Sequence, residues 1–202
     1  MLSLSAAAFW FERWSIGFVA LATLGLSMVP VIVARRLNIT LPVAFLVAIA
    51  GFVFATIFLG EVFDFYERLW WWDIAMHGAS AIAFGLLGFL FIFMMFDGDR
   101  YAAPPFALGF LAACLAVTIG SLWELFEFAM DSWFGTNMLK SGLPDVMGDL
   151  IVNALGAIVG GFSGTLYLWG IRSPVLAGLI ERFIAANRQF YQRTRERVRP
   201  RR

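Results

Sequence analysis

Stretches of about 20 predominantly apolar residues recur along this chain, each long enough as a helix to cross a hydrocarbon core of roughly 30 Å. They fall near Ile16 to Ala34, Leu41 to Gly60, Asp73 to Phe96, Phe106 to Met130 and Val146 to Gly170. Inside lipid a backbone must satisfy its own polar groups, so these stretches predict helices. The connections at Arg35 to Thr40, Glu61 to Trp72 and Asp97 to Pro105 are short, which makes successive helices antiparallel. With 61% apolar and 14% charged residues, a soluble domain with a polar shell is excluded. The expectation is an all-α polytopic transmembrane helix bundle of about five spans, forming one domain over residues 1–172. Residues 173–202 are read as a cytoplasmic amphipathic helix and basic tail. The first apolar run lacks the basic flank and small-residue cleavage site of a removable signal peptide and is expected to stay in the mature protein.

More than half of the 15 Lys and Arg lie between Arg182 and Arg202. Arg35, Arg36, Arg100 and Arg172 share their side of the membrane; Arg13, Arg68 and Lys140 lie on the other. Because basic residues accumulate on the cytoplasmic side, the N-terminus is expected outside and the C-terminus inside a bacterial inner membrane. Trp10, Trp14, Trp70, Trp71, Trp72 and Trp133 then fall at the outer interface, where amphipathic rings are favoured. After Ser173 and Pro174, the residues Val175, Leu176, Leu179, Ile180, Phe183 and Ile184 repeat at helical spacing. This predicts a helix on the cytoplasmic face whose basic residues meet anionic headgroups, each attracted by roughly 1 kcal/mol. The expected partners are therefore membrane lipids, not nucleic acid.

Nearly all the acidic residues outside the tail gather on the predicted outer side, where basic partners are few. Glu124, Glu127 and Asp131 span an arc of about 60° on the fourth span, and Asp145, Asp149 and Asn153 about 80° on the fifth. Asp73 and His77, four apart with Ser80 beside them, share a face of the third. Gly156, Gly160 and Gly164 continue the Asp149 face as a small-residue ridge of the kind that packs helices closely in lipid, which turns its polar end inward. Gly120 and Ala113 lie in line with Glu124 and suggest the same for the fourth span. Asp73 and Asp145 can serve as helix caps, and Glu61, Asp64, Glu67 and Asp131 can be solvated. Glu124, Glu127, Asp149, Asn153 and His77 lie deeper, where an unpaired charge costs at least about 2.5 kcal/mol, so they are the functional candidates.

The runs Trp123-Glu124-Leu125-Phe126-Glu127, Gly135-Thr136-Asn137-Met138 and Asp145-Val146-Met147-Gly148-Asp149-Leu150, continuing through Asn153 to Gly156-Ala157, resemble the YjdF-type family of bacterial inner-membrane proteins. Trp72-Asp73 with His77 matches that family's aromatic-Asp and His pattern, and the resemblance covers about Trp70 to Gly164. It implies the membrane architecture and the importance of the cluster, and it implies no reaction. A looser similarity to VanZ-like membrane proteins rests on an early His, a Glu in a middle helix, and an Asp with Asn then Gly opening the last helix. That similarity points toward cell-envelope lipids or glycans.

The residues leave three functions open. In the first, His77, Glu124, Glu127 and Asp149 ligate a divalent cation, with Asp73, Asp131, Asp145 and Asn153 in support. Glu124 and Glu127 then act catalytically on an envelope lipid ester or phosphoester. In the second, the carboxylates couple ion movement to transport. In the third, the polar network only fixes helix register in an assembly or stability factor. With one His and one Cys, bis-histidine haem and cysteine nucleophile dyads are not available within one chain. Cys114, inside an apolar run, is expected to pack.

Overall fold

The structure, a computed structural model, describes residues 14–96, 103–135, 137–139, 142–171 and 176–188. All regular elements among them are helical: α1 (Trp14–Arg36), α2 (Val43–Val53) running on as a π-helical stretch (Phe54–Val62), α3 (Phe65–Arg68), α4 (Trp72–Met95), α5 (Pro105–Phe134), α6 (Leu143–Leu168) and α7 (Leu176–Ala186). Four are long and apolar enough to cross a membrane: Val43–Gly60, Trp72–Met95, Pro105–Phe134 and Leu143–Leu168. The remaining expected span lies on the 23-residue α1. Of the residues read above, Trp10, Arg13, Arg100, Thr136, Lys140, Arg172, Ser173, Pro174, Val175 and the tail from residue 189 lie outside the described residues.

The chain divides into two compact units, one within Met1–Trp72 and Glu181–Phe190, the other within Asp73–Ile180 and Tyr191–Arg202. In the first, the regular helix of the second span widens at Phe54. Thr56 Oγ1 donates to the Phe52 carbonyl at 3.0 Å, a back-bond that competes with the ladder and bends helices. Gly60 leaves the room that the Tyr66 ring occupies. Asn187, 4% exposed, clamps the turn between α1 and α2: its Oδ1 accepts the Thr40 N–H at 2.8 Å while its Nδ2 donates to the Thr40 carbonyl at 2.9 Å. Phe183 packs its ring 5.9 Å from that of Phe45. The apolar side of the C-terminal helix is thus used inside the protein, while Arg182 and Arg188 are exposed. Asn187→Ala strands two backbone groups of Thr40, and detergent melts are expected to show a loss of about 2 kcal/mol, whereas an unchanged melting temperature would dismiss the clamp.

The second unit is built on α6, which carries two small-residue faces. A methyl group on Gly156 would lie 2.8 Å from Ala81 Cβ and 2.9 Å from the Gly78 carbonyl, so this face meets α4 almost backbone to backbone. Gly160 faces Ile82 and Gly164 faces the Phe89 ring, completing the predicted ridge. One residue round the helix, Gly161 meets Gly109 and Ala113 of α5, and Thr165 Oγ1 donates to the Pro105 carbonyl at 2.8 Å. The doubled Gly160-Gly161 therefore serves two neighbours, a role the single ridge did not anticipate. Outward faces are apolar: Phe110, Leu111, Leu122, Leu125, Phe128, Ile151, Leu155 and Ile158 are exposed, as suits a surface solvated by acyl chains. Cys114 is exposed too, which corrects the packing expectation. An apolar run in a spanning helix has a lipid face as well as a protein face, and hydropathy does not separate them.

Candidate metal centre

Helices α4, α5 and α6 alternate in direction, so the start of α4, the later half of α5 and the start of α6 come to the same end of the unit. There the polar stripes meet. His77, 9% exposed, stands between carboxylates from three helices: Glu124 Oε1 is 3.6 Å from Nδ1, while Asp73 Oδ1 and Asp149 Oδ2 are 3.5 Å and 3.9 Å from Nε2. Asn153, 2% exposed, brings Nδ2 to 3.4 Å from Nδ1. The space for its amide is the side chain missing at Gly120, where a methyl group would lie 2.8 Å from Asn153 Nδ2.

Glu124 is the sharpest feature. It is 5% exposed, and neither carboxylate oxygen has a hydrogen-bond partner. Asp149 is equally buried, with Oδ2 3.9 Å from the imidazole. No described Lys or Arg lies between Asp73 and Ile180. Buried carboxylates in this state are strongly destabilising unless a cation or proton joins them. Two ligand sets can close on a cation: Asp73, His77 and Asp149 each bring one ligand atom within 4.8 Å of the others, and so do His77, Glu124 and Glu127.

The remaining candidates fall into supporting places. Glu127 Oε1 accepts the indole N–H of Trp123 at 2.9 Å, which aims the carboxylate; Trp123 was part of a motif but not of the predicted site, although its spacing of four was the available signal. Asp131 is not in the cluster. Its two oxygens accept the backbone N–H groups of Met138 and Leu139 at 2.7 Å and 2.9 Å, folding the following loop against the helix end. With Gly135 left-handed at φ 66° as the cap, α5 reaches Phe134 instead of stopping at Met130. Asp145 lies in the first turn of α6, and the Ser80 hydroxyl donates to the His77 carbonyl at 2.9 Å, outside the cluster. Asp64 and Glu67 are exposed in the first unit, as solvated acids should be.

Comparison by sequence agrees with the spanning helices. A family described as "Predicted membrane protein (DUF2238)" matches residues 1–170. The chain belongs to this family. An uncharacterised protein of Thermotoga maritima is 29% identical over 104 residues, which cover 52% of this chain and 53% of that protein. The chain thus spans about half the length of the curated relative it matches. No solved structure matches the chain.

Proposed function

We propose that the cluster is a divalent-cation centre, facing outward from a bacterial inner membrane with the N-terminus outside, that performs hydrolytic or transfer chemistry on an envelope lipid or glycan. The observation that carries this reading is Glu124, a carboxylate buried with both oxygens free of hydrogen bonds and directed at an imidazole nitrogen. His77, Glu124 and Glu127 would hold such a cation, and Asn153 would join them with its amide oxygen turned inward, since the two amide ends occupy equivalent positions. Oxygen donors with one imidazole suit zinc, manganese or magnesium. A divalent ion held there would make a bound water a nucleophile near neutral pH, and the second oxygen of Glu124 would be placed to take a proton.

A lipid substrate is supported by the surroundings: Leu122, Trp123, Leu125, Phe126 and Phe128 flank the acidic positions on α5 and are all exposed, so the approach is apolar. Resemblance to VanZ-like proteins points to the same substrate class. Transport has less support, because α4, α5 and α6 meet nearly backbone to backbone at Gly85, Gly161 and Gly109. Elemental analysis of detergent-purified protein is expected to find a divalent metal that Glu124→Gln diminishes; metal-free wild-type protein would end this reading.

A further inference from the structure

A neutral imidazole carries one N–H and one bare lone pair, and what each nitrogen faces decides which is which. His77 is the single histidine of the chain, and its two edges differ. Nε2 faces carboxylates from two helices: Asp73 Oδ1 at 3.5 Å, one turn earlier on α4, and Asp149 Oδ2 at 3.9 Å, from α6. A lone pair there would be repelled by both, whereas an N–H is attracted by both. Nδ1 faces the Asn153 amide at 3.4 Å, which can offer a hydrogen to a lone pair, and Glu124 Oε1 at 3.6 Å. The tautomer with its hydrogen on Nε2 therefore suits Asp73, Asp149 and Asn153 together. It leaves a lone pair in front of Glu124, which accounts for neither of that residue's buried oxygens having a hydrogen-bond partner. A lone pair and a carboxylate directed at each other are drawn together only by a cation between them.

We infer that Asp73 and Asp149 are positioning residues: by keeping the ring hydrogen of His77 on Nε2, they present Nδ1 to a single divalent cation shared with Glu124 and Glu127. This rests on the reading of the cluster as a cation centre and gives its two sides different work. Asp149 moves from the ligand set expected from the sequence to a support. A histidine that ligates a metal commonly donates its other ring N–H to a carboxylate, which fixes the ring and makes the ligating nitrogen more basic. Here the two carboxylates come from different helices, so the orientation of the ring is set from α4 and α6 at once. The close approach of those helices at Gly78 and Gly156 keeps Asp149 within reach of a ring carried by its neighbour.

The test uses untagged full-length protein in detergent, its histidine labelled with nitrogen-15, stripped with a chelator and reloaded with spin-active Cd2+. With a single histidine in the chain, the imidazole resonances need no assignment to a residue. Nδ1 is expected to couple to the cadmium while Nε2 keeps a directly bonded hydrogen. Coupling at Nε2, or a bound ion coupled to neither nitrogen, overturns the assignment and leaves the cation centre standing. Retention of neither Cd2+ nor Zn2+ overturns both. Titrated with Zn2+, Asp73→Asn and Asp149→Asn are expected still to bind about one ion per chain, about 10–100-fold more weakly than wild type, while Glu124→Gln loses the ion. Unchanged affinity removes that aspartate from the role, and loss of the ion on a par with Glu124→Gln makes it a ligand instead. Where a variant does not fold, the coupling pattern of the wild type decides.

Discussion

Gly161→Ala is expected to disrupt the second unit, whereas Gly148→Ala in the same helix is expected to be neutral or slightly stabilising. The added methyl at position 161 would lie 2.7 Å from both Ala113 N and the Gly109 carbonyl and 3.1 Å from Ala113 Cα. All three are backbone atoms, which no rotamer change can move. Relief requires α5 and α6 to separate, which also strains the Thr165 hydrogen bond to Pro105. Overpacking of this kind costs about 1–3 kcal/mol where side chains give way, so the upper end or beyond is expected here. At Gly148 nothing lies within 4 Å of the added carbon, and removal of glycine's backbone freedom contributes about 0.5–1 kcal/mol in favour of the variant. Melting curves in detergent check the pair. Equal behaviour of the two variants would show that the close approach of α5 and α6 does not hold the unit together.

Glu124→Gln is expected to reverse its effect on stability with metal. In stripped protein, an uncompensated carboxylate at this depth costs at least about 2.5 kcal/mol, and a neutral amide of the same shape removes most of that cost. The stripped variant should therefore melt above stripped wild type. Added Zn2+ stabilises whichever protein binds it, by about 2.7 kcal/mol at one hundred times its dissociation constant, so wild type should overtake the variant. A register-fixing network behaves differently: the variant would be less stable with or without metal, because it breaks a balanced set of contacts. Observing that pattern would favour the purely structural role over the cation centre.

The cluster was partly legible because helical period alone places Glu124 and Glu127, or Asp149 and Asn153, on one face. The glycine ridge then indicates that the face turns inward. What the period does not contain is which of several acids on a face finishes near the imidazole. Asp131 shares the arc of Glu124, yet two turns further along it serves the loop through Met138 and Leu139. The Asn187 clamp on Thr40 was not legible, since the two residues are 147 positions apart and neither belongs to a local motif. Nor was the π-helical stretch at Phe54–Val62, beside which the Tyr66 ring takes the space that Gly60 leaves.

By itself the sequence determined that the chain is helical and crosses a membrane, because no other backbone arrangement in an apolar run of this length satisfies its own hydrogen bonds without closing a barrel. It also determined the faces, because side-chain direction follows from a fixed rotation per residue. Only the tertiary structure decided that His77 has carboxylates on both of its nitrogens, and that Glu124 is buried with neither oxygen hydrogen-bonded. Those facts depend on the rotation and height of three helices relative to one another, which are set by backbone contact at Gly156, Gly160 and Gly161 and by no property of any one segment.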